Sequence, residues 1–204
     1  MLVGGAREHF QNAGEWVAWA IWRLDPNGAI DTTSGRNGVI DPRRVDFGES
    51  AYDLLMLPSG GAYVLSGNDY EEPDSTFVVH LFPSGRIDRR FGMGGRASLE
   101  LPCVGVLAIR LAAPPDGGIV AAGFGSSFDC AGSHAPFNQG LTLLELTRRG
   151  TVDATFGRGG RVRIDRSEDG SLIAFAIDPQ NRPLLDFYDF SRFGGVARLR
   201  SPWT

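Results

Sequence analysis

One nine-residue phrase recurs along this chain and constrains the fold more than any other feature. Arg23-Leu24-Asp25-Pro26-Asn27-Gly28-Ala29-Ile30-Asp31 returns as His80-Leu81-Phe82-Pro83-Ser84-Gly85-Arg86-Ile87-Asp88. It returns again as Glu145-Leu146-Thr147-Arg148-Arg149-Gly150-Thr151-Val152-Asp153, and a further copy begins at Arg198-Leu199. The leucines lie 57, 65 and 53 residues apart. A repeat of this length builds stacked or radially arranged units, each too small to bury its apolar faces alone.

Within one repeat the apolar stretches have strand length. In the third unit, strand a spans Val104 to Ala112, b Ile119 to Gly123, c Leu141 to Leu146 and d Arg161 to Ile164. Short strands separated by turn residues predict an all-β chain. The 28 glycines and 12 prolines punctuate the sequence regularly, which suits that reading. Pro58-Ser59-Gly60-Gly61, Pro115-Asp116-Gly117-Gly118 and Asp178-Pro179-Gln180-Asn181 are equivalent a–b turns. Proline fixes φ at the first corner, and Gly or Asn accepts a positive φ at the next. Asp31, Asp88 and Asp153 each precede a glycine-rich connection, where a carboxylate can accept backbone N–H groups. Phe91 and Phe156 are expected to plug the gap between units. Ser34 stands in their place in the first copy, which is expected to pack more loosely.

The pattern Arg/His-Leu-x-Pro-x-Gly-x-Ile/Val-Asp-x-x-Phe-Gly-x-Gly-Gly, followed by a strand, a Pro-Ser/Asp-Gly-Gly turn and a second strand, resembles the bacterial delta-60 repeat family. Residues 80–96 and 145–161 carry it most clearly. The resemblance implies a β-propeller-like architecture and long, often secreted or surface-associated bacterial proteins. It brings no catalytic residue set. The chain departs from the pattern at Ser34 and at Asn181-Arg182-Pro183.

The expected units are 1–46 (partial), 47–102, 103–167 and 168–204 (partial), forming one repeat domain. Met1-Leu2-Val3-Gly4-Gly5 matches the interior of later copies, so the chain is read as a fragment or partial array, with no signal peptide in it. Counting b-c-d, a-b-c-d twice and a-b-c gives 14 strands, about three and a half propeller blades of four strands. Such an array is open, closed on itself, or closed through a dimer or neighbouring repeats of a longer chain, because open sheet edges invite pairing.

Composition narrows the function. The net charge of −4 argues against nucleic acid, which demands a concentrated basic surface. No apolar run is long enough to span a bilayer. All 20 basic residues are arginine, which rules out lysine-based catalysis.

The b–c loops vary most: Ala6 to Gly14, Asn68 to Ser75, Phe124 to Gly140 and Asp189 to Gly194. Variable loops on one face of a repeat array form a binding surface. The ligand-binding candidates are Tyr70, Glu71, Glu72, Asp74, Phe128, His134 and Phe137. The acidic run at 70–74 suits Ca²⁺ but lacks an ordered ligand spacing, and a solvated loop is the competing reading. In a propeller the opposite, turn-bearing face collects Arg36, Arg86, Arg89, Arg90, Arg148, Arg149 and Arg158. Cys103 and Cys130 are expected to share one face and form a disulfide, with two separate thiols as the alternative. No metal site is expected. His80 is read as a strand surface residue, since Arg23, Glu145 and Arg198 occupy its position elsewhere.

Together these features point to a non-catalytic binding or interaction module, extracytoplasmic by family resemblance, with a protein or glycan partner. A glycan-acting enzyme using loop carboxylates and a passive spacer are the alternatives.

Overall fold

The computed structural model describes the chain except residues 12–13, 43–46, 48–49, 68–75, 100–103, 116, 128–139, 165–169, 190–191 and 199–204. The described residues form 14 strands and no α-helix. The first sheet contains β1 (Leu2–Gln11), β2 (Gly14–Arg23) and β3 (Val39–Ile40). The second holds β4 (Ser50–Met56), β5 (Ala62–Gly67), β6 (Thr76–Leu81) and β7 (Arg96–Ser98). The third holds β8 (Val104–Ala112), β9 (Ile119–Ser127), β10 (Leu141–Leu146) and β11 (Arg161–Ile164). The fourth holds β12 (Gly170–Ile177), β13 (Pro183–Asp189) and β14 (Arg192–Arg198). Each is an antiparallel meander of consecutive strands.

Two expected loops are largely strand. β1 runs to Gln11 and pairs it with Gly14 at the start of β2, so most of Ala6–Gly14 is ladder. Likewise β13 reaches Asp189 and β14 resumes at Arg192. The stretch Phe124–Ser127, read as the start of a loop, continues β9 opposite Val104–Leu107. Polar composition concealed these extensions, because antiparallel pairing satisfies the backbone whatever the side chains are.

Alternation along the strands buries both faces of the inner sheets. Val64, Phe77, Val79 and Leu81 of the second sheet join Trp19, Ile21 and Ile40 of the first in one cluster. Their neighbours Tyr63, Leu65 and Val78 face the other way, against Ala108, Ile119, Ala121, Leu144 and Leu146 of the third sheet. The third sheet turns Val120, Ala122, Leu141 and Leu143 towards Leu172 and Leu185 of the fourth. Three apolar layers therefore join four sheets in chain order. Among the described residues no such layer joins the fourth sheet back to the first. Burying each large side chain in these layers contributes roughly 1.5–3 kcal/mol before ordering entropy is set against it.

The phrase that repeats in sequence is what locks the sheets together. Asp31, Asp88 and Asp153 accept the N–H groups of Thr33, Arg90 and Thr155 at 3.0, 3.0 and 2.8 Å. These carboxylates hold a tight corner, whose next glycine reaches the adjoining unit. The Gly35 N–H donates to the Ser84 carbonyl (3.4 Å), and the Gly92 N–H donates to the Arg149 carbonyl (2.8 Å). Phe91 and Phe156 are buried in the layers beside these corners. Ser34 is also buried, and its hydroxyl donates to Asp31. Ile40 fills the space beside the next turn that Phe91 fills one unit later, with Ile40 against Gly85 and Phe91 against Gly150.

A second link runs through the β4, β8 and β12 strands. Each carries a bulge, with register shifting at Ala51/Asp53, Ala108/Arg110 and Leu172/Ala174. The residue after the bulge reaches across. Asp53 accepts the Leu111 N–H at 2.7 Å, and the Arg110 Nε donates to the Ile173 carbonyl at 3.1 Å. A bulge re-aims side chains in this way.

Candidate functional site

The turn side of the stack carries the concentration of charge. Arg36, Arg86, Arg89, Arg90, Arg148, Arg149 and Arg158 are all exposed. They sit in or beside the corners and turns described above, so the backbone that joins the sheets also presents the guanidinium groups. Arg90 Nε lies 3.5 Å from Asp88, Arg148 donates to the Gly117 carbonyl at 3.2 Å, and Arg89 stacks over Phe47 at 4.8 Å.

The carboxylates of this side accept hydrogen bonds from neighbouring backbone and side-chain donors. Hydrogen bonds from the Thr33 hydroxyl and N–H hold Asp31 below the ordinary aspartate range. Thr155 does the same to Asp153. The Arg182 side chain holds Asp178 down, at 2.7 Å. Burial pushes Asp88 up, but the Arg90 N–H and His80 outweigh it and its pKa is lowered. The guanidinium groups are more exposed than these carboxylates.

A groove of about 680 Å³ opens between the second and third sheets. Gly92, Met93 and Arg96 line one wall, Gly150, Thr151 and Val152 the other, with Thr76, Phe77 and Ser98 also contributing. Arg96 stacks on Phe77 at 3.8 Å, a cation–π arrangement that fixes its guanidinium in the wall. Met93 is the most exposed large apolar side chain described, at 89%. Nothing in the residue types signalled this groove: the counterparts of Arg96 are Val39 and Arg161, so no pattern marks the position.

His80 departs from its reading as a surface residue, its side chain being 19% exposed. Its Nδ1 lies 3.4 Å from Asp88 Oδ2, and its ring stands 4.9, 5.5 and 5.8 Å from Tyr63, Phe82 and Phe91. The aromatic neighbours draw the ring off the surface. Burial pushes the Tyr63 phenol above its ordinary value, keeping it neutral. A histidine–carboxylate pair becomes catalytic when it activates a reachable nucleophile. Tyr63 is only 7% exposed and packs into the core layer, so its phenol is out of reach of solvent.

Every ligand-binding candidate read from the sequence, Tyr70, Glu71, Glu72, Asp74, Phe128, His134 and Phe137, lies outside the described residues, as do Cys103 and Cys130. Among the described residues no group of His, Cys, Asp and Glu could hold a metal ion. No described helix is long and apolar enough to cross a membrane.

No protein-family model matches the chain, and no curated protein matches it. Among solved structures, the chain is similar to a glucose dehydrogenase at 15% identity, covering 88% of this chain and 56% of that one with a TM-score of 0.46. It is also similar to MPT-4, a mannose phosphorylase from Leishmania mexicana in complex with phosphate ion, at 10% identity, 98% and 64% coverage and a TM-score of 0.47. The chain thus spans less than two thirds of the length of either.

Proposed function

We propose that this chain is a non-catalytic interaction module, built as a propeller-like stack of delta-60-type repeats, that takes an anionic partner on its turn side. The observation that carries the reading is the set of exposed guanidinium groups there. Seven arginines are exposed on the turns, whereas the ionised carboxylates of Asp31, Asp88 and Asp153 are half-buried, with oxygens taken up by backbone N–H groups. On a chain with net charge −4 overall, the exposed charge of this side is thus mostly guanidinium, with the Arg96-walled groove beside it. Guanidinium forks match carboxylates in pairs of hydrogen bonds, so a uronic-acid polysaccharide or an acidic protein segment fits the chemistry. The extracytoplasmic setting and any contact through the b–c loops belong to the same proposal.

Calorimetric titration with polygalacturonate, with polyglutamate, and with duplex DNA as a control tests it. The expected result is salt-sensitive binding of one carboxylate polymer, weakened when Arg90 and Arg149 are both changed to Ala, and no comparable DNA binding. Equal affinity of the double variant and the parent would reject the turn side as the site.

A further inference from the structure

The two outer faces of the stack are complementary in type. At every internal junction the same two kinds of face meet. One kind bears the residues equivalent to Val64, Val79 and Ile87, and faces the preceding sheet. The other bears those equivalent to Tyr63 and Val78, and faces the following sheet. Strand register places Val3, opposite Trp22, where Val64 stands opposite Val79 in the second sheet and Ala121 opposite Leu144 in the third. Those four counterparts are fully buried, whereas Val3 is 41% exposed. Ile30 is 50% exposed, although Ile87 and Val152 at its position pack against core layers. Gly28 has open space around it where Gly85 and Gly150 are pressed against the preceding sheet. No described donor reaches the Asn27 carbonyl, the counterpart of the Ser84 and Arg149 carbonyls that accept from Gly35 and Gly92. Ala18 and Ala20, further along the same face, are buried, so the open patch is its turn end.

The fourth sheet shows the opposite kind of face. Val196 is 76% exposed, while Val78 and Leu143 at its position are buried. Val196 is paired with Asp186, itself paired with the exposed Ala174, and two residues along the exposed Arg198, Leu184 and the exposed Ala176 continue the same face. One chain therefore displays one uncovered patch of each kind, on the same turn half of the stack.

We infer that the first sheet of one molecule receives the fourth sheet of a second copy, continuing the junction already formed three times within the chain. This is a heterologous, head-to-tail contact, which closes a ring or extends a row according to its rotation. It is independent of the anionic-partner reading, since it uses the ends of the stack and not the arginine turns.

Light scattering on a sizing column tests it with Ile30→Arg and Val196→Glu, both at exposed positions. The parent is expected to exceed 22.0 kDa increasingly with concentration, while each variant alone stays at that mass. An equimolar mixture of the two variants is expected to give a species of twice 22.0 kDa, because each blocks a different end and one junction remains. A parent that stays monomeric at every concentration, a single variant that still self-associates, or a mixture that stays monomeric overturns the inference. Ile30→Thr and Val196→Thr, with folding checked by circular dichroism, repeat the test without introducing charge.

Discussion

The Gly92 N–H donates to the Arg149 carbonyl at 2.8 Å, tying the corner of the second sheet to the turn of the third. One unit earlier, Gly35 makes the same bond to Ser84. These amides are expected to exchange with solvent only through opening of the sheet junctions. Hydrogen exchange followed by NMR should show Gly92 protected well above the amide of the exposed Gly94. Equal protection would mean that the junctions open independently of the fold.

Phe91 is 2% exposed and packs between the second and third sheets. Truncating it to Ala leaves a cavity in that layer and is expected to cost about 3–5 kcal/mol. Urea unfolding of Phe91→Ala checks this. Ser34→Ala, which removes only a hydroxyl bonded to Asp31, should cost about 1 kcal/mol.

Asp53 is the only side chain described as accepting the Leu111 N–H, at 2.7 Å. Asp53→Ala strands that donor and should destabilise the chain by about 1–3 kcal/mol. Asp53→Asn retains an acceptor oxygen and should recover part of the loss. If the two variants are equally unstable by thermal melting, the bond across the bulges is not what holds these strands.

Stability should also depend on pH through the corner aspartates. The folded pKa values of Asp31, Asp88, Asp153 and Asp178 are lowered, so the folded state favours their ionised forms. Their contribution is complete above the unfolded aspartate value of about 3.9. It is lost as pH falls through the depressed folded values. Urea midpoints should therefore stay level near neutrality and drop in acid. Asp153→Asn should flatten part of that drop, and an unchanged acid profile in this variant would contradict the assignment.

Much of the scaffold was legible in the sequence. Val104–Ala112, Leu141–Leu146 and Arg161–Ile164 have the bounds read from apolar runs and turn residues, and the strands divide among the sheets as the strand count divided them. Local signals suffice there, because Pro, Gly and Asp impose the turns without help from distant residues. What was not legible depends on contacts between units. His80 looked like a surface position until Tyr63, Phe82 and Phe91 closed around it. The groove exists because two sheets diverge beside Arg96 and Thr151, which no single repeat records. Hairpin extensions such as Ala6–Gln11 were hidden by polar residues that the strand ladder accepts.

The central claim is that equivalent turns are joined to the preceding unit by one recurring junction. Gly28 and Gly150 test it as an internal pair, since both have positive φ (85° and 76°) but only Gly150 is pressed against a preceding unit. A Cβ on Gly150 would lie 2.7 Å from the Gly92 nitrogen and 3.0 Å from Phe91, whereas one on Gly28 would meet nothing within 4 Å. The measurement is urea unfolding of Gly28→Ala and Gly150→Ala in dilute solution. Both should lose about 1–2 kcal/mol to backbone strain, and Gly150→Ala should lose about 1–3 kcal/mol more from overpacking. Equal destabilisation of the two variants would contradict the junction.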